Sequence, residues 1–80
     1  MKTIIRGHPL VRMLERGVTI SDIEFVLENY TTSFTSGYDS TELRSMFPDG
    51  RVLKVWILGG IPLVEPVIIK SVAWMEFEDV

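Results

Sequence analysis

The hydrophobic period of this chain changes once, at about Tyr30, and that change limits its folds more than any other feature. Before Tyr30 apolar residues recur at helical spacing. After it they alternate, or run together in β-branched blocks bounded by turn residues. Helices followed by strands with hairpin-length connections predict an α+β domain, with two N-terminal helices on one face of a three- or four-stranded antiparallel sheet.

The first helix is expected from Pro9 to about Arg16. Proline suits the first helical position, and Gly17 sits where a left-handed cap is wanted. Leu10, Met13 and Leu14 should face the core, with Arg12 and Glu15 opposite and Arg16 near the edge. His8 precedes the helix as a cap-like residue. The second helix is expected from about Asp22 to Tyr30. Ser21-Asp22-Ile23-Glu24 matches a capping box, and Ile20 and Phe25 are placed as a hydrophobic staple. Ile23, Val26, Leu27 and Tyr30 supply the buried stripe.

Strands are expected over Thr31–Phe34, Glu42–Phe47, Val52–Leu58 and Val67–Met75. In the second of these, Leu43, Ser45 and Phe47 share one face, and Glu42, Arg44 and Met46 the other. Pro48-Asp49-Gly50 is a turn, since proline presets φ and glycine accepts a left-handed conformation. Gly59 to Pro66 is too long and apolar for a minimal hairpin turn, and exposes Ile61, Leu63 and Val64. The second sheet face is left partly open, with Lys54, Trp56, Lys70 and Trp74 as candidates to point there.

Eighty residues make one domain, and a chain of this size buries only about 60% of its unfolded surface. Hydrophobic residues at 46% supply a core. No cysteine is available for a disulfide or thiolate zinc site, and His8 is the only histidine. No metal or other cofactor is expected. No uncharged run, including the apolar one between Lys54 and Glu65, exceeds ten residues, whereas a membrane-spanning helix needs about 20. No membrane association and a cytoplasmic location are therefore expected. The net charge of −3 argues against strong non-specific nucleic-acid binding. It is unevenly spread, with Glu76, Glu78 and Asp79 in the last five residues.

Two constellations can carry chemistry. His8, Arg12 and Arg16 recur every four residues, so a titratable imidazole lies near two permanent cations. Such a set can move a proton and hold a phosphate. Structural roles are also open to it: a cap for His8, pairing with Glu15 or Asp22 for Arg12, and helix-end carbonyls for Arg16. Arg44, Lys54 and Lys70 place one cation on each of three strands, with Arg51 at a turn, and Trp56 and Trp74 can stack bases beside them. Their structural alternative is ordinary solvent-facing cations over core tryptophans. The acidic end is read as solvated, with shielding of a basic surface as an alternative.

The segment from His8-Pro9-Leu10-Val11-Arg12-Met13 through Glu15-Arg16-Gly17-Val18-Thr19 to Val26-Leu27 resembles the opening of a widespread bacterial family, domain of unknown function 4258. An arginine-bearing strand, an aspartate-glycine turn and two Val-rich strands extend the resemblance over nearly the whole chain. It implies a fold similar to RelE-like toxins, ribonucleases that cut messenger RNA. A metal-independent endoribonuclease would then use His8 as base or acid and Arg12, Arg16 and Arg44 on the phosphate, with Lys54 and Lys70 along the RNA backbone. RNA and an antitoxin-type protein are the partners this implies. The alternative is a non-catalytic interaction module, a homodimer or partner-binding domain that uses the apolar Gly59–Pro66 segment.

Overall fold

The computed structural model describes residues 1–75. Its elements are β1 (Thr3–Ile4), α1 (His8–Arg16), α2 (Ile20–Asn29), β2 (Thr32–Thr35), β3 (Ser40–Met46), β4 (Val52–Leu58) and β5 (Val67–Trp74). The five strands form one sheet in the order β1-β5-β4-β3-β2. The α+β class is as expected, but the strand count is not. A two-residue strand precedes the helices and pairs parallel with Val67 and Ile68 of β5. Two residues cannot show an alternation, so this strand leaves almost no trace in the sequence pattern. The Val67 N–H donates to the Lys2 carbonyl at 2.9 Å and fastens it.

Helix α1 ends as expected, with Gly17 left-handed at φ 65° and the Val18 N–H bonded to the Met13 carbonyl. Its start differs. Gly7 occupies the cap position at φ 70°, and His8 is the first helical residue and makes no cap bond. Its core contribution also differs. Pro9 and Met13 are buried, whereas Leu10 is half-exposed and Leu14 is 80% exposed. Helix α1 packs chiefly against β5, so only a narrow stripe is covered. Leu14 lies about 100° round from Met13 and misses it.

Helix α2 begins earlier than Ser21. The Thr19 hydroxyl accepts the Asp22 N–H at 3.1 Å, and the Asp22 carboxylate accepts the Thr19 N–H at 2.9 Å. The capping box is therefore Thr19-Asp22, two residues before the expected one. The staple moves with it. Val18 and Ile23 flank the new cap and are both buried, while Ile20 is 56% exposed. Phe25 packs instead on Phe47, with ring centroids 4.5 Å apart.

Both helices cover the same sheet face. Met13, Val18, Ile23, Val26 and Leu27 meet Leu43, Leu53, Val55, Ile57, Val67, Ile69 and Val72 in one core. Among the described residues, buried side-chain polar atoms are satisfied. The Ser45 hydroxyl donates to the Asn29 carbonyl at the end of α2, and the Thr41 hydroxyl donates to that of Gly59. The β3 alternation is as expected, with Leu43 and Ser45 buried and Met46 exposed. The Pro48-Asp49-Gly50 turn forms, with Gly50 at φ 90° and its N–H bonded to the Phe47 carbonyl.

A bulge in β5 sets which side chains reach the other face. Trp56 lies opposite Ser71, but Ile57 lies opposite Ile69, so Lys70 has no partner on β4. The extra residue reverses the side-chain alternation. Ile69 and Val72 are both buried, and Trp74 falls on their side. Trp74 does not join the open face. It packs edge-on against Phe47 at 5.4 Å.

Candidate functional site: a cationic sheet face

The face without helices carries Arg44, Lys54, Trp56, Lys70 and Ser71. Arg44 and Lys54 are direct cross-strand partners, as are Glu42 and Trp56. The Lys54 ammonium lies 5.4 Å from the centre of the Trp56 ring. Lys70, pushed outward by the bulge, reaches over β4 to the Ser40 hydroxyl at 2.6 Å and the Asp39 carboxylate at 3.3 Å. Arg44 is held between the Glu42 carboxylate and the Phe34 ring, 4.7 Å from its centre.

Arg16 joins this face from the end of α1. Its Nη1 donates to the Val72 carbonyl of β5 at 2.6 Å, and the Trp74 indole N–H donates to the Arg16 carbonyl at 2.8 Å. These two bonds lock the last turn of α1 to the margin of β5. Arg16 also lines two grooves. One, of about 490 Å³, is lined by Arg16, Lys54, Ala73, Trp74 and Met75. The other, of about 320 Å³, is lined by Arg16, Ser40, Trp56, Lys70 and Ser71. Arg51 stacks on Trp74 at 4.2 Å but is paired with Asp49 and lines neither groove.

Six residues were singled out by sequence. The structure brings Arg16, Arg44, Lys54 and Lys70 to one side of the molecule. His8 and Arg12 form a separate pair. Arg12 Nε donates to His8 Nε2 at 3.1 Å, and its Nη1 meets Glu15 at 3.1 Å. Neither lines either groove. His8 stands eight residues before Arg16, about 12 Å along the helix axis.

Arg44 and Lys70 have carboxylate partners, Glu42 and Asp39. Among the described residues, Arg16 and Lys54 have none. Residues 1–75 carry eight acidic and eight basic side chains, so the whole net charge of −3 resides in Glu76, Glu78 and Asp79. The expectation about that acidic end lies outside the described residues. The face itself gathers Arg16, Arg44, Lys54 and Lys70 against Glu42 and Asp39. Such a surface can hold an extended polyanion and offer one flat ring, Trp56, beside it.

Sequence reasoning missed Phe34, which props Arg44, and the bulge that turns Lys70 and Ser71 outward together. Phe34 could have been found as the one aromatic in an otherwise small, β-branched strand. The bulge has no local signal in Ile68-Ile69-Lys70-Ser71-Val72. No family model, curated protein or solved structure matches this chain. No described helix is long and apolar enough to cross a membrane.

Proposed function

We propose that the open sheet face binds the backbone of single-stranded RNA, and that the domain is a RelE-like, toxin-type, metal-independent endoribonuclease of the kind its resemblance to family 4258 implies. The observation that supports this reading is the convergence of Arg16 with Lys54, Trp56 and Lys70. A helix end and two strands direct cations at one groove system, and two of those cations lack a carboxylate partner among the described residues. Arg16 and Lys54 would grip one phosphate and stabilise the charge that develops as a 2′-hydroxyl attacks it. Lys70 and Arg44 would follow the backbone to either side, and Trp56 would take a base on its ring.

His8 remains the one imidazole available to move a proton. Its separation from Arg16 means that RNA would have to run along α1 for His8 to act on the phosphate held in the groove. The test is cleavage of a single-stranded RNA in excess chelator. Activity in the wild type, lost in Arg16→Ala and in His8→Ala, is the expected result. Cleavage retained in His8→Ala removes His8 from the mechanism. RNA binding without cleavage by the wild type leaves a binding domain and ends the nuclease reading. An antitoxin-type protein covering the same face is the partner this proposal implies.

A different observation favours an interaction module. In the connection Gly59–Pro66, Ile61 is 49% and Val64 75% exposed beside an apolar pocket of about 260 Å³. Leu63, expected to be exposed, packs partly onto the core. Charged residues at Ile61 and Val64 should then abolish binding of a protein partner while leaving RNA affinity intact.

A further inference from the structure

The two edges of the sheet are treated differently. The outer edge of β5 is closed. Strand β1 pairs with Val67 and Ile68, α1 lies against the strand, and Arg16 takes the Val72 carbonyl. Among the described residues, nothing covers the opposite edge, β2. All four of its residues are exposed, including Ser33 and Thr35 on the helix side of the sheet, because α2 packs under β3 and β4. Natural edges are usually guarded by lysine, proline, a bulge or an inward charge. Thr32-Ser33-Phe34-Thr35 has none of these, and Thr31–Tyr38 carries no charge at all. In an antiparallel pair, alternate residues turn their N–H and C=O groups away from the neighbour, so β2 presents a row of unpaired donors and acceptors outward.

We propose that this edge pairs with β2 of a second copy of the chain, giving one ten-stranded sheet across a two-fold axis. An antiparallel strand pair is self-complementary, which an isologous contact requires. Residues directly opposite one another must point to the same face. Centring the pair on Phe34 meets that condition, and sets Ser33 against Thr35 of the second copy and Thr32 against its Ser36. No like charges are opposed. Phe34, 46% exposed, gains an aromatic cross-strand neighbour. Tyr38, fully exposed at the β2–β3 turn, is carried toward the start of the second copy's β2. The axis is perpendicular to the sheet, so both cationic faces lie on the same side. The contact is small, and the pairing is accordingly concentration-dependent.

The test is the mass of the full chain by sedimentation from micromolar to about millimolar concentration, with amide exchange of Thr32–Thr35 over the same range. A mass rising toward twice 9.1 kDa is expected, with β2 amides more protected as concentration rises. Phe34→Lys opposes two ammonium groups and Thr35→Lys charges the other side, and each should weaken the dimer about tenfold or more. A 9.1 kDa species throughout overturns the proposal, even if an extended peptide from another protein binds the same edge. So does a dimer equally stable in both variants, or β2 exchange independent of concentration. The exchange readout uses the wild type alone and does not depend on either variant folding. None of these outcomes depends on whether RNA binds.

Discussion

Arg16 shows how one residue can serve fold and site together. Its guanidinium closes the β5 edge through the Val72 carbonyl and presents its remaining donors to the grooves. Arg16→Ala should cost about 1.5–3 kcal/mol in a denaturant melt, because a charge-assisted bond is lost. The four-residue spacing of His8, Arg12 and Arg16 was legible, and it does unite His8 with Arg12. What it cannot show is that Arg16 leaves this row for the sheet, because the partner carbonyl lies 56 residues away. Asp49 carries a separate prediction. Its carboxylate accepts the Arg51 backbone N–H and the Arg51 side chain, which together hold its pKa below the ordinary 3.8. A folded value lowered in this way contributes stability that is complete above 3.8 and is lost as pH falls through the lowered value. An NMR titration should place the Asp49 midpoint below 3.8, and Arg51→Ala should raise it. A midpoint at or above 3.8 in the wild type contradicts the turn geometry.

At the scale of elements, the start of α2 offers a sharp comparison. Two overlapping capping boxes exist in Thr19-Ile20-Ser21-Asp22-Ile23-Glu24. The one headed by Ser21 has the commoner glutamate at its third position, yet the chain uses the one headed by Thr19. The deciding term is burial. Starting at Thr19 places Val18 and Ile23 on either side of the cap, and both are in the core. Thr19→Ala should therefore cost about 1 kcal/mol in a thermal or denaturant melt, while Ser21→Ala, at an exposed helical position, should cost a few tenths at most. Equal costs would mean that the helix start is not where it stands. Strand β3 was legible because it alternates cleanly, and β4 because it is a Val- and Ile-rich run that begins just after the Pro48-Asp49-Gly50 turn. Strand β5 was legible in extent and in its outward Lys70, but not in Trp74, which the bulge sets on the core side. A bulge depends on the neighbouring strand's register, which a local pattern does not contain.

Over the whole molecule, the order of helices and strands follows from the single change of period at Tyr30, and the helices do share one sheet face. The parallel β1 could not be read, because its pairing with Val67–Ile68 joins the two ends of the described chain. The charge balance was legible only in total. An acidic sum conceals a neutral body, one cationic face and an acidic end. The RNA proposal rests on that distribution, and counterion release measures it directly. Affinity for a short single-stranded RNA should be followed by fluorescence anisotropy between 50 and 200 mM salt, for the wild type and Lys54→Ala. Three or four phosphate contacts predict a slope of log affinity against log salt of about −2 to −3, shallower by about 0.7 in the variant. No binding, or a slope that Lys54→Ala leaves unchanged, would contradict the assignment of this face to RNA.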